Sequence, residues 1–270
     1  MSAEFLNTRL GQTGISVFRL GLSGTYRPSR KTVHKALNEG VNYFFCYGFD
    51  TQMIGALREL SAGQRERYVV ASGLLSFPWW RQDPVRVVER RLRQLRTDYV
   101  DVFHFLGVTR RKMSALRVID GLAALRASDK VRAVSVSTHD RRLAGELAAD
   151  GVVDVLMVRY NAAHRGVEED VFPHLMKHRP GLVSYTATRW GHLTKRPRGL
   201  SPVGRVPTAG ECYRFVLSNP NVDVCLTAPS DLRQFEENLA AVRRGALGDD
   251  DMSFMREFGD VVYRQRKWFA

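Results

Sequence analysis

The segment Gly40-Val41-Asn42-Tyr43-Phe44-Phe45-Cys46-Tyr47-Gly48 decides how the chain reads. Its middle is apolar and aromatic with no polar alternation, and a glycine stands at each end. A strand with one face in water alternates polar and apolar side chains, whereas a continuous apolar run fits a strand covered on both faces. Strands of that kind are the parallel ones of α/β proteins, with helices packed against the sheet. This one runs into a turn at Tyr47-Gly48, so Tyr47 stands at the strand's mouth.

Seven further runs of the same character lie at 19–22, 69–73, 100–106, 132–137, 154–158, 182–186 and 222–227; with 43–47 they make eight. Amphipathic stretches separate almost all of them, at 30–39, 51–62, 84–96, 114–127, 140–149, 168–178, 208–218 and 231–243, with apolar residues three or four apart. Eight βα units in roughly 250 residues suit a closed (β/α)8 barrel, the TIM-barrel architecture, more than an open doubly wound sheet. No Gly-x-Gly-x-x-Gly opens a helix after the first run, which further weakens the open-sheet reading. Ahead of the barrel, residues 5–17 carry Gly11-Gln12-Thr13-Gly14 between apolar flanks, the pattern of a β-hairpin able to plug the barrel's bottom. There is no linker, low-complexity stretch or clear repeat, so one domain over residues 1–270 is expected.

Composition narrows the class. Hydrophobic content of 44% and charged content of 26% are those of a soluble globular protein. No apolar run nears the ~20 residues that span a bilayer, so no membrane partner is expected. Met1-Ser2-Ala3-Glu4 lacks a basic region followed by an apolar one, so no secretory leader is expected. Cys46, Cys212 and Cys225 are odd in number and widely spaced. They read as buried thiols in a reducing cytoplasm, not as a disulfide framework or a metal site. The net charge of +13 draws on Arg86, Arg90, Arg91, Arg93 and Arg96 in one stretch and Lys195, Arg196, Arg198 and Arg205 in another. It would suit anionic partners such as a phosphorylated cofactor, but a solvated helix face with basic loops is the preferred explanation. Aromatic and basic residues mix at Phe77-Pro78-Trp79-Trp80-Arg81 without any nucleic-acid module following, so nucleic acid is not expected as a partner.

Function in such a barrel sits at the carboxyl ends of the strands. That singles out Tyr47, Gly73, Leu106, Ser137, Thr138, Met157, Tyr185 and the loop after Thr227. Tyrosine donates a proton well only where a neighbour lowers its ordinary pKa of about 10, and no charge stands close to Tyr47 in sequence.

Several segments together resemble the aldo-keto reductase superfamily: Leu10-Gly11-Gln12-Thr13-Gly14, Gly40-Val41-Asn42-Tyr43-Phe44, Tyr47-Gly48, Leu95-Arg96-Thr97-Asp98-Tyr99-Val100-Asp101, Lys130-Val131-Arg132-Ala133-Val134-Ser135-Val136-Ser137, Tyr160-Asn161 and Gln234-Phe235-Glu236-Glu237-Asn238. They occur in the family's order and cover nearly the whole chain. The resemblance implies the same barrel and NAD(P)H-dependent reduction of a carbonyl by four residues: an Asp, a proton-donating Tyr, a Lys that tunes it, and a His that orients the carbonyl. Only the Tyr is matched, by Tyr47, after a loop about three residues short. Phe45 stands where the Asp belongs, Ser72-Gly73 where the Lys belongs, and Leu106 where the His belongs.

Two residues could substitute. Phe49-Asp50-Thr51 spells the family's Phe-Asp-Thr, but that register would set Gly48 inside the strand. His104 shares the inward side with Leu106, one layer deeper; it is either a rescuing catalytic group or a core histidine. Tyr47 itself reads equally as catalyst or as a structural aromatic, and Cys46 alternates to the helix-facing side.

On the cofactor side the resemblance implies that Ser137 hydrogen-bonds a nicotinamide amide, with Thr138 in place of an Asn and Met157 in place of a Gln. Tyr185 would stack on the ring, and Gly24-Thr25-Tyr26 would touch it. Thr186, Thr188, Gly191 and Leu193 would pass the pyrophosphate. Ser230 opens the last helix, Arg233 suits a 2′-phosphate and so NADP over NAD, and Glu237 and Asn238 match adenine contacts. Ala228 stands where the family often has Gly. Phe45, Leu106, Trp79, Trp80 and Trp190 would make an apolar substrate pocket. The expectation is a cytoplasmic, NADP(H)-dependent oxidoreductase of this type with a degenerate site and no metal; the alternative is a pseudoenzyme that uses the barrel for ligand or protein binding.

Overall fold

The structure, a computed structural model, describes residues 3–75, 83–110, 118–198 and 204–265. Eight parallel strands close on themselves: β3 (Leu20–Ser23), β4 (Tyr43–Cys46), β5 (Val69–Leu75), β6 (Val100–Leu106), β7 (Val131–Thr138), β8 (Val155–Arg159), β9 (Gly181–Tyr185) and β10 (Val224–Thr227), the last pairing back onto the first. All eight expected strands are present, with bounds shifted by a residue or two.

Strand alternation divides the barrel into two cores. Phe44, Cys46, Phe103, Phe105, Val134 and Val136 face the helices. Tyr43, Phe45, Val102, Leu106, Ala133, Met157 and Val183 fill the interior. Because both faces are buried, β4 carries no polar alternation. Full burial of a side chain such as Phe44 or Phe45 contributes roughly 1.5–3 kcal/mol. The hairpin of β1 (Asn7–Arg9) and β2 (Ser16–Phe18) closes the lower end, and Leu10, Ile15 and Val17 join the interior cluster from it.

Among the described residues the helices are α1 (Ala3–Leu6), α2 (Arg30–Asn38), α3 (Thr51–Gln64), α4 (Pro84–Leu95), α5 (Val118–Arg126), α6 (Arg141–Asp150), α7 (Val167–Asp170), α8 (Ala209–Leu217), α9 (Leu232–Val242) and α10 (Asp249–Gln265). Two departures from expectation have physical causes. The helix expected at 168–178 is only the short α7 and a 3-10 turn, Phe172–Leu175, because Pro173 lacks the N–H that an α-helix would use there. The closing helix α10 was not expected. Its first turn, Asp249, Asp250 and Asp251, suits a helix amino end, and Met255, Phe258 and Val262 are buried at three- and four-residue spacing. The start of the helix expected at 114–127 lies outside the described residues up to Val118.

The sequence blocks that carry the resemblance serve as stitches between distant elements. Asp101, at the base of β6, accepts from Arg65 at 2.6 Å, from Arg132 at 3.0 Å and from the Val70 N–H at 2.8 Å. Arg65 also lies 4.0 Å over the Tyr99 ring and donates to Thr97. Asn238 of α9 donates to Thr227 at the top of β10, 3.2 Å away.

Candidate active site

Tyr43, Phe45 and Tyr47 share the inward side of β4, so Tyr47 is the uppermost of three aromatic layers. Its ring packs edge-on to Phe45 at 4.8 Å and stacks on Phe49 at 5.2 Å. Its hydroxyl accepts a bond from Thr25, 3.3 Å away, and the Thr25 hydroxyl stands 2.8 Å from that of Ser23. Thr25 sits in the 3-10 turn Gly24–Tyr26 that follows β3. Three hydroxyls therefore line up across two strand ends.

The turn after Tyr47 is braced from beneath. Gly48 takes φ of +105°, which glycine adopts without a Cβ clash, and Arg91 occupies the space beside it. Arg91 donates to the Tyr47 carbonyl at 2.5 Å and to the Ser72 hydroxyl at 2.9 Å, and Ser72 in turn donates to the Cys46 carbonyl at 2.8 Å. Of the arginines on the α4 stretch, Arg91 is thus buried and not part of a solvated face, while its neighbours Arg86, Arg90, Arg93 and Arg96 are exposed. Asp50 does not take the place of the missing acid: Gly48 lies beyond the strand, which rules out the alternative register. Its Oδ1 accepts the Gly48 N–H at 2.7 Å, and burial pushes its carboxyl above the usual range.

Phe45, Gly73 and Leu106, the positions that the resemblance gives to an acid, a lysine and a histidine, lie among apolar groups. Phe45 is fully buried, and Leu106 leans over Gly73, whose added Cβ would meet Leu106 at 2.9 Å. Neither lines the cavity at the mouth, so of the expected wall they form no part. His104 is deeper still. It is fully buried, its Nε2 stands 3.4 Å from the Tyr43 hydroxyl, and the Phe45 ring packs against it at 5.2 Å. Burial holds its pKa down to about 3, so it is neutral. Phe45 touches both rings, His104 below and Tyr47 above, and no bond joins those two.

A cavity of about 280 Å3 opens at the strand ends, close to the lower end of small-molecule sites at roughly 300–1,000 Å3. Thr25, Tyr47, Tyr185 and Thr186 all line it, together with Thr188, Trp190 and Met157. Tyr26, from the Gly24-Thr25-Tyr26 loop singled out in the sequence, lines it too, and so does Tyr213, which comes from α8, where its spacing marks it only as core. Trp79 and Trp80 lie outside the described residues.

Ser137 and Thr138 close β7 and are buried, and the Thr138 hydroxyl accepts the Asp140 N–H. Tyr185 has its hydroxyl 3.2 Å from His139, and burial pushes its pKa up to about 12. The Leu193 side chain is fully buried in the helix-facing core, which leaves its backbone alone for any ligand. At α9 Asp231, not Ser230, caps the helix by accepting the Gln234 N–H at 2.8 Å. Arg233 is exposed and pairs with Glu237 at 3.3 Å, while Asn238 turns inward to Thr227.

A closed barrel with a polar and aromatic mouth at its carboxyl end defines the class. Residues 23–260 match the Aldo/keto reductase family, and the chain belongs to it. It is 23% identical to L-galactose dehydrogenase of Arabidopsis thaliana over 279 residues, covering 86% of each chain. It is also 23% identical over 214 residues to aldo-keto reductase YhdN of Bacillus subtilis, covering 69% of this chain and 63% of that one. Among solved structures, the holo form of aldo-keto reductase AKR11C1 from Bacillus halodurans superposes with a TM-score of 0.77 at 19% identity, covering 93% of this chain and 95% of that one. An aldo/keto reductase from Klebsiella pneumoniae, in complex with NADP and acetate, gives 0.73 at 18% identity, covering 94% and 95%. Family and fold support an oxidoreductase.

Proposed function

We propose that the chain binds NADP(H) and performs slow redox chemistry on a carbonyl or alcohol, with Tyr47 as the proton-donating group. The observation that carries this reading is the convergence of Tyr47, Thr25 and Tyr185 on one cavity at the strand ends. The NADP in the Klebsiella relative supports the choice of cofactor class.

The residues at the mouth fit the nicotinamide end. Tyr185 offers a partly exposed ring beside the Ser137 hydroxyl, with Thr138 next to it. Thr186, Thr188 and the Leu193 backbone would follow the phosphates, Ser230 and Arg233 would meet the 2′-phosphate end, and Glu237 and Asn238 would flank adenine. The cofactor, when bound, supplies or accepts the hydride. Tyr47 holds the proton at its hydroxyl oxygen, and Thr25 donates to that same oxygen, which stabilises the phenolate left after transfer. A neutral hydroxyl does this less well than a cation would. General acid–base groups are worth about 10²–10⁴-fold, so the losses at Gly73 and Leu106 make turnover slow. His104, neutral and sealed under Phe45, acts in this reading as packing and not as a catalyst.

Leu106 packed over Gly73 favours a second reading, a barrel that binds without turnover. Mixing the protein with NADPH and a panel of carbonyls separates the two. Slow oxidation of NADPH that falls about 10²-fold in Tyr47→Phe supports the first. Turnover unchanged in Tyr47→Phe removes Tyr47 from its role, and no turnover with any carbonyl leaves the second.

A further inference from the structure

Inside the barrel, two adjacent side chains each leave a polar atom unpaired. His104 of β6 and Ser135 of β7 are register partners. Both point inward: Val102 and Leu106 flank His104 in the interior cluster, and Val134 and Val136 on either side of Ser135 face the helices. Each residue is 0% exposed. Among the described residues, the His104 Nδ1 and the Ser135 Oγ take part in no hydrogen bond. A buried polar group without a partner has given up its hydration for nothing, so such groups are nearly always paired, with protein or with an ordered water.

The walls around the pair supply no protein partner. The Phe45 ring packs on His104 at 5.2 Å. One layer down lie Ala71, Val102 and Ala133, all apolar, and the two alanines are the smallest members of the interior cluster. Neighbouring strands stand roughly 4.7–4.9 Å apart, so the two orphaned atoms face each other across a space on the scale of one water.

The other ring nitrogen settles where the hydrogens are. Burial, and then the Asp101 charge, push the Tyr43 phenol up, so its hydroxyl keeps its hydrogen. The His104 Nε2, 3.4 Å away, is that hydroxyl's only hydrogen-bond partner among the described residues. Burial lowers the His104 pKa to about 3, so the ring is neutral and carries a single N–H. Donation from Tyr43 uses the Nε2 lone pair and places that N–H at Nδ1, aimed away from Tyr43.

We propose that one resident water sits between these groups, accepting from the His104 Nδ1–H and donating to the Ser135 Oγ. Tyr43, His104, the water and Ser135 then form one hydrogen-bonded chain across β4, β6 and β7. A buried water needs two to four polar partners, and this site offers two from residues that otherwise lack one. The site is closed off from the mouth by Phe45 and does not depend on cofactor or turnover.

A high-resolution crystal structure of the unaltered protein, with nitrogen NMR of His104, tests it. Density for one water within hydrogen-bond distance of both atoms is expected, with the ring hydrogen on Nδ1. Oxygen-17 relaxation dispersion of the solvent is expected to count one long-lived internal water fewer in Ser135→Val, whose methyl groups take the space and whose side chain cannot accept. No density at the site, a direct bond between Ser135 and His104, the ring hydrogen on Nε2, or equal water counts in the two proteins overturns the proposal. If Ser135→Val is unfolded by circular dichroism, the density and the His104 spectrum of the unaltered protein decide.

Discussion

Leu106 lies against Gly73 across the seam between β5 and β6, so close that a Cβ on Gly73 would meet the Leu106 Cγ and Cδ1 at 2.9 Å and the His104 carbonyl at the same distance. The two residues are complementary: the leucine occupies space that a longer residue at position 73 would need. Gly73→Lys therefore does not simply restore a cation. It is expected to destabilise the fold by roughly 1–3 kcal/mol through overpacking, read as a fall in Tm. An unchanged Tm would show that the seam has room.

Arg91 ties the Tyr47 turn to the body of the barrel through the Tyr47 carbonyl and Ser72. Arg91→Met keeps the apolar stem but leaves those acceptors without their donor, a loss of roughly 1–3 kcal/mol each where burial persists. Denaturant unfolding measures the loss. The same variant is expected to weaken any Tyr47-dependent turnover, because the tyrosine is then held less firmly.

Asp101 is expected to matter more than the exposed pair Arg233–Glu237. Its side chain is 2% exposed and faces Arg65, itself 10% exposed. Asp101→Ala strands a buried guanidinium, at a cost of about 3–5 kcal/mol in unfolding free energy. Arg233→Ala, at a solvated helix face, is expected to leave stability unchanged. Equal effects in the two variants would contradict the stitch assigned to Asp101.

His104 gives the fold an acid-sensitive slope. Its pKa is about 3 in the folded protein against an ordinary 6.5, so the unfolded chain binds the proton more readily. Stability is thus lost as pH falls between those values, by up to ~1.4 kcal/mol per pH unit. Asp223 acts in the opposite sense: burial raises it from 3.8 to about 6, so its contribution falls as pH rises across that window. Comparing His104→Gln with the unaltered protein isolates the histidine. The variant's stability is expected to fall less steeply below pH 6.5. Coincident acid limbs would mean that His104 does not stay neutral.

Much of the barrel was legible because its strands are buried on both faces and its helices carry regular apolar spacing; Tyr43 to Tyr47 showed this alone. Inward placement of Tyr47, Ser137, Met157 and Tyr185 follows from alternation and needs no coordinates. What stayed hidden depends on contacts between residues far apart in the chain. Arg91 looks like one more surface arginine until its meeting with Tyr47 is seen, 44 residues away. Tyr213 reaches the mouth from a helix whose spacing reveals only packing. Leu193 and Asn238 fit a family pattern, yet their side chains point into the core and at Thr227. The helix α10 carries its signal in the sequence, in the acidic first turn and the three- and four-residue spacing of Met255, Phe258 and Val262.

We propose that the barrel keeps its dinucleotide site although Phe45, Gly73 and Leu106 stand where the resemblance places an acid, a lysine and a histidine. Fluorescence titration of the protein with NADPH tests it most directly. Micromolar binding, retained in Tyr47→Phe, is the result predicted. No binding at millimolar NADPH would contradict it.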